Sequence, residues 1–170
     1  MIRVIAWVIM LAGGTAAGLY LDTILFENFR IGIFLHDLSF VIGSLLFYTV
    51  IRVSRNTGRT LARYGRRGSL KRMETNVLVT GGIYGEMRHP MHQGLLFFPL
   101  SIALLIGSPS FILIAAPIEM ILMLIIIRFM EEPEAVKKFG KDYLDYKAAV
   151  PFLCFKIKCL RELLKTVPKL

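Results

Sequence analysis

Four apolar stretches, roughly residues 4–26, 31–51, 91–107 and 110–129, dominate this sequence and constrain what it can become. A helix rises about 1.5 Å per residue, so about 20 apolar residues cross the ~30 Å hydrocarbon core of a bilayer. The third stretch is the shortest, and a short or tilted helix is expected there. Hydrophobic residues make up 55% of the chain and the mean hydropathy is +0.62, above the about 45–50% apolar content of soluble domains. The fold class that follows is all-α, a single polytopic membrane domain with about four transmembrane helices and an amphipathic C-terminal helical region.

Charge sets the orientation. The formal net charge is +9, and its cations lie between and after the apolar runs without the aromatic interleaving of an RNA platform. Nucleic acid is set aside as a partner in favour of membrane lipids at an anionic surface. The stretch "RVSRNTGRTLARYGRRGSLKR", residues 52–72, holds eight Arg and Lys and no acid, and reads as a cytoplasmic loop between the second and third helices. The opposite connections, "ENFR" and "GSPS", are short and nearly devoid of positive charge, so both termini are expected on the cytoplasmic side. Apolar character continues through "LYLDTILF" beyond any signal-peptide cleavage point, which predicts a retained first helix. Gly14 and Gly18, with Ala17 beside them, stand at the GxxxG spacing of close helix packing. Cys154 and Cys159 form no CxxC pair, no disulfide framework is indicated, and both are expected as cytoplasmic thiols.

"GSPS" is a tight turn, so the third and fourth helices form an antiparallel hairpin. His92 lies 17 residues before Pro109 and Arg128 lies 19 after it, which brings "RHPMH" and "RFMEE" together at the cytoplasmic rim. Pro90 holds His89 extended and suits the first position of the third helix. The unpaired N–H groups there, with Arg88, suit a ligand carboxylate or phosphate, or a lipid headgroup. His89 and His92 with Glu131 or Glu132 have the composition of a metal site. However, His89 precedes the helix and no third strong ligand is near, so no metal is assigned. Glu131 and Glu132 either favour the start of the next helix through its dipole or bind a cationic ligand. Glu119, midway along the fourth helix, is either a packing acid or part of a substrate cavity. His36, Asp37 and Asp22 fall toward the opposite leaflet as satisfied or snorkelling groups.

After the hairpin, "EEPEAVKKFGKDYLDYKAAVP" has a helix start at its acids and Pro133, a stop at Gly140, and a second short segment closed by Pro151. Ala135, Val136, Phe139 and Tyr143 at near-helical spacing make it amphipathic, lying on the membrane surface. The basic tail from residue 153 is assigned lipid-surface contact.

The stretch "LVTGGIYGEMRHPMHQG" and the later "EEPEAVKKFGKDYLDYKAAVP" together resemble the isoprenylcysteine carboxyl methyltransferase and phospholipid methyltransferase superfamily of integral membrane methyltransferases. That pattern runs G-P-Y-x-x-x-R-H-P-x-Y, then E-E-x-x-L-x-x-x-F-G-x-x-Y-x-x-Y, and the likeness covers residues 78–152. The resemblance implies S-adenosylmethionine as cofactor, held at the cytoplasmic membrane face in a helical fold. It divides the chain into N-terminal helices and basic loop over 1–77, a cofactor-binding core over 78–152 and a basic tail over 153–170. Carried over by position, Tyr84, Arg88, His89 and Pro90 shape the cofactor pocket, Glu131 and Glu132 begin its second wall, and Tyr143 and Tyr146 close it. Two positions depart from the pattern. Ile83 replaces a Pro, and His92 stands where the second Tyr is expected, exchanging an aromatic hydroxyl for a titratable imidazole.

What the resemblance implies is methyl transfer to a lipophilic acceptor that reaches the site sideways through the bilayer. A carboxylate acceptor of isoprenylcysteine type needs no base, and Arg88 would orient it. An amine or thiol acceptor needs one, and His92 or Glu132 would supply it. The catalytic candidates are therefore Arg88, His92 and Glu132. Alternatives are a phospholipid or other amine or thiol methyltransferase, a nicotinamide-dependent membrane reductase of related fold, a non-catalytic scaffold and a small metal transporter.

Overall fold

The computed structural model describes residues 2–26, 33–69 and 74–165. The "ENFR" connection and the last five residues of the basic tail lie outside them. Among the described residues nine α-helices follow in order: α1 (Ile2–Leu25), α2 (Ile33–Tyr64), α3 (Ile83–Glu86), α4 (Pro90–Leu95), α5 (Phe98–Ile106), α6 (Ala116–Ile126), α7 (Glu132–Phe139), α8 (Lys141–Ala149) and α9 (Ile157–Leu164). π-helical turns occupy Phe111–Ala115 and Ile127–Glu131, and there is no strand among the described residues. The stretches Ile5–Leu25, Phe34–Tyr64 and Phe111–Phe139 are long and apolar enough to cross a membrane, and Pro90–Ile106 is a shorter apolar one. The chain is thus a polytopic integral membrane protein, and its third apolar stretch is indeed short.

One boundary differs from the sequence reading. Much of the basic stretch expected as a loop is helix, because α2 runs on to Tyr64. Arg52, Arg55, Arg59 and Arg63 are spaced three, four and four residues apart, which places them on one helix face, and all four are exposed. Val53, Asn56, Thr57 and Thr60 are buried on the other. Arg is a good helix former, so the charge density that breaks the apolar run does not break the helix.

The helices gather into two compact units, Met1–Tyr48 with Leu96–Ile125, and Thr49–Leu95 with Ile126–Leu170. The first is built on close backbone approach. A Cβ on Gly18 would lie 2.6 Å from the Phe111 Cβ and 2.9 Å from its Cα, so only glycine lets α1 meet the first π turn. Gly14 leaves room for the Glu119 side chain in the same way. Glu119 is 3% exposed and neither carboxylate oxygen has a hydrogen-bond partner among the described residues. Asp22 accepts a hydrogen bond from the Ser110 N–H at 2.8 Å, and Ser39 donates to the Leu104 carbonyl at 2.8 Å. Gly107, in the left-handed region at φ 73°, ends α5 and opens the hairpin turn. Elsewhere α1 and α2 expose Val8, Ile9, Phe34 and Leu45, as helices facing lipid do.

The second unit packs Val53, Val79, Ile83, Tyr84, Met87 and Leu163 around a disulfide between Cys154 and Cys159. This corrects the expectation of two thiols. The segment between α8 and α9 folds back, so that Cα atoms five residues apart in sequence come to 6.0 Å, inside the range a disulfide spans. The same segment straps the loop between α3 and α4. Arg88 N–H donates to the Pro151 carbonyl at 2.9 Å and His89 N–H to that of Phe152 at 3.3 Å. The Gln93 amide makes a reciprocal pair with the Cys154 backbone at 2.6 and 2.9 Å.

Gly18→Leu is expected to lower thermal stability in detergent by about 1–3 kcal/mol through overpacking. Gly13→Ala, where an added Cβ meets nothing within 4 Å, should stay within about 0.5 kcal/mol of the parent. Impermeant maleimide should leave both cysteines unmodified in the oxidised protein and add to both after reduction and unfolding. By the charge rule, reaction after mild reduction will require opened cells.

Candidate functional site

The second unit brings together every residue that the sequence reading placed in the pocket. Pro90 opens α4 and leaves Arg88 and His89 in the loop before it. The second π turn, closed by the Glu132 N–H on the Ile127 carbonyl, delivers Glu131 and Glu132 at the start of α7. Gly140, at φ 58°, separates α7 from α8 and sets the direction in which Tyr143 and Tyr146 are presented.

Glu132 is the centre. Its carboxylate is 1% exposed. One oxygen accepts from Arg88 Nε at 2.9 Å and Nη2 at 2.7 Å. The other accepts from Lys147 Nζ at 2.7 Å and from Arg128, one turn earlier on the same helix. Arg88 also donates through Nη1 to the carbonyls of Lys147 and Val150, at 3.0 and 2.5 Å. Four of its five N–H groups are therefore engaged inside the protein. Three formal cations around one carboxylate leave a surplus of positive charge. Lys147 and Phe152, whose ring lies 4.8 Å from that of His89, are members of the site that the motif did not announce. Arg128 entered the sequence reading only as a topological marker.

A cavity of about 200 Å³ lies against this centre. Arg88, His89, His92, Glu131 and the three tyrosines 84, 143 and 146 line it, with Leu61, Val79 and Phe139 as its apolar wall. Pro90 contributes as well. Two buried polar atoms here have no hydrogen-bond partner of acceptable geometry among the described residues, His89 Nε2 and the Tyr143 hydroxyl. His89 Nε2 approaches Glu132 only to 3.5 Å. Burial pushes His89 down to about 4, helped by the neighbouring His92 against the opposite pull of Glu132, so the ring is neutral at physiological pH. Burial also raises Tyr84, Tyr143 and Tyr146, which stay protonated as donors. Tyr146 donates to the Tyr84 carbonyl at 2.5 Å.

His92 Nε2 lies 3.1 Å from Glu131 Oε2. Glu131, which the sequence reading set across the hairpin from the histidines, thus stands beside them. Ligand atoms of His89, His92 and Glu131 lie within 4.8 Å of one another, a looser group than the ~3.4 Å between neighbouring ligands of a tetrahedral ion with bonds near 2.1 Å. The close approach of His92 Nε2 to Glu131, set beside surplus positive charge, accounts for their grouping.

The protein-S-isoprenylcysteine O-methyltransferases of Mus musculus and Rattus norvegicus are each 30% identical to the chain over 87 residues, 48% of this chain and 28% of theirs. The matched stretch spans little more than a quarter of those relatives' length. No solved structure matches the chain. The profile of the phospholipid methyltransferase family matches residues 31–142, more than half of the chain, and reaches from α2 through both acids at the π turn to α8. This chain belongs to the phospholipid methyltransferase family.

Proposed function

We propose that this protein is an S-adenosylmethionine-dependent methyltransferase acting on a lipophilic acceptor at the cytoplasmic membrane face. The observation that carries this reading is the pair of unpartnered buried polar atoms, His89 Nε2 and the Tyr143 hydroxyl, in a cavity with an apolar wall. A buried polar group without a partner costs about 1–3 kcal/mol, so both favour a polar ligand that satisfies them. The surplus positive charge around Glu132 favours a ligand carboxylate, and Glu131 favours an ammonium. Leu61, Val79 and Phe139 offer an apolar surface for a purine, and the tyrosine faces attract a sulfonium. S-adenosylmethionine carries all of these groups, and when bound it supplies a methyl on a leaving group that needs no metal. The protein's share is to position the acceptor and exclude water.

What supports the cytoplasmic side is the Arg stripe of α2 with the other cations of residues 52–72. The membrane context supports an acceptor with an apolar anchor, reaching the cavity from the bilayer.

Calorimetry in detergent is expected to show S-adenosylmethionine binding, weakened more than about fivefold by His89→Ala and by Tyr143→Phe. His36→Ala, at a separate cavity lined by Leu35, Ser39 and Pro109, should bind as the parent does. Unchanged binding in both site variants would remove the cofactor from this cavity. Across a series of acceptors with lengthening acyl or prenyl anchors, kcat/KM should rise by severalfold per buried methylene, at about 0.8 kcal/mol each, until the groove is filled. Equal turnover of a short water-soluble acceptor would contradict a lipophilic substrate.

A further inference from the structure

We infer that Phe152 is a positioning residue of the site, a ring that holds His89 apart from the Glu132 cluster so that its Nε2 stays open to a ligand. The inference rests on the cofactor reading of the cavity proposed above. It starts from the way the loop before α4 is held from the strap that follows α8. The Arg88 N–H donates to the Pro151 carbonyl at 2.9 Å and the His89 N–H to the Phe152 carbonyl at 3.3 Å. The Phe152 ring then meets both side chains, its centroid 4.8 Å from that of His89 and 5.7 Å from the Arg88 guanidinium carbon. Arg88 and His89 line the cavity and Phe152 does not, so Phe152 acts on a ligand only through them.

His89 stands between two partners. Its Nε2 is buried without a hydrogen-bond partner among the described residues and lies 3.5 Å from Glu132 Oε1. A charged imidazole would close that short gap and join Arg88, Arg128 and Lys147 as a fourth cation on the carboxylate. A neutral ring gains little there, because the three cations already use both oxygens. The charge on His89 therefore decides whether Nε2 serves Glu132 or a ligand.

The charged and titratable groups around the ring are Glu132 and Glu131, which favour its charged form, and His92 at 5.7 Å, which opposes it. Arg88 lies on the far contact of the Phe152 ring, and the tyrosines of the cavity are protonated and neutral. Burial outweighs all of these and pushes His89 down to about 4. Phe152 supplies the aromatic part of that cover. Without it, water reaches the imidazole, its pKa rises toward the ordinary 6.5, and at lower pH the charged ring turns to Glu132. The sign is fixed by this order: the parent ring is neutral across the physiological range, whereas a ring stripped of its cover loses the ligand as pH falls.

The experiment uses the full chain in lipid nanodiscs with ring-labelled histidine, whose three signals are assigned by the loss of one in His89→Ala. It has two readouts, the titration of His89 without cofactor and calorimetric S-adenosylmethionine binding. Phe152→Ala should raise His89 from about 4 toward 6.5. Its affinity should fall about fourfold or more beyond the parent's own change between about pH 8 and about pH 6. Phe152→Leu keeps an apolar cover, so His89 should stay low and binding should remain within about threefold of the parent. Adding His89→Ala to Phe152→Ala should abolish the added pH dependence, a result that a merely structural role would not give. The Gln93 pair with the Cys154 backbone holds the strap in each variant, and Phe152→Gln, which keeps bulk but admits a polar group, takes the place of Phe152→Ala if that variant does not fold. A His89 that stays near 4 without the ring, or that rises as far in Phe152→Leu as in Phe152→Ala, would overturn the inference whether or not the cofactor binds. Absence of S-adenosylmethionine binding in the parent, with His89 titrating as expected, would remove the methyl-transfer reading and leave the holding role of Phe152 in place.

Discussion

The second unit depends on one buried carboxylate. Glu132 sits at 1% exposure with two arginines and a lysine on its two oxygens. Taking a carboxylate and its partners out of water costs several kcal/mol per ion, so such a centre persists only when every lone pair is used. Here each oxygen accepts at least two donors. Through Arg88 it ties the loop before α4 to the start of α7 and to the end of α8, where the Lys147 and Val150 carbonyls take two further guanidinium bonds. Removing the Glu132 charge would leave three cations facing one another. The cavity therefore has walls that a ligand does not need to assemble.

The π turn at Ile127–Glu131 explains how two adjacent acids do unlike work. It adds a residue to the turn without ending the helix, an irregularity frequent at functional sites. Successive helical side chains point about 100° apart. Glu132 accordingly faces inward to Arg88, while Glu131 faces His92 and the cavity. One acid holds the architecture, and the other stays at the surface where chemistry is possible.

Much of this was legible in the sequence, and the rest was hidden for particular reasons. The apolar stretches gave the helical membrane class because length and hydropathy alone decide it. The meeting of "RHPMH" with "RFMEE" followed from counting residues either side of Pro109. The continuation of α2 past Arg52 was also legible, in the three-four-four spacing of its arginines, but charge density was read as a loop signal. The Glu132 cluster was not: Lys147 is one more lysine in a basic region, and nothing local marks it as the third donor. The disulfide escaped because a CxxxxC spacing matches neither a redox motif nor a long-range framework, and only the fold-back of the chain after α8 brings the sulfurs together.

Two physical signals bear on which side of the membrane this unit faces, and they act at different times. The eight cations of residues 52–72 act during insertion, when moving them across the membrane is the largest cost the chain can avoid. The Cys154–Cys159 bond forms afterwards and follows the compartment in which the insertion has left it, and disulfides are rare in reducing cytosol. Closing so short a loop is worth about 2 kcal/mol on chain-entropy grounds, small beside the cost of misplacing that many charges. By the charge rule the side is set before the bond can form, so the bond answers to the redox state of whichever compartment that is. Cys154 also carries the Gln93 amide pair, so its backbone is held against α4 by two further hydrogen bonds whether or not the sulfurs are joined. The strap beneath His89 thus keeps its anchor in either redox state, and the Phe152 ring packed on His89 does not depend on the compartment.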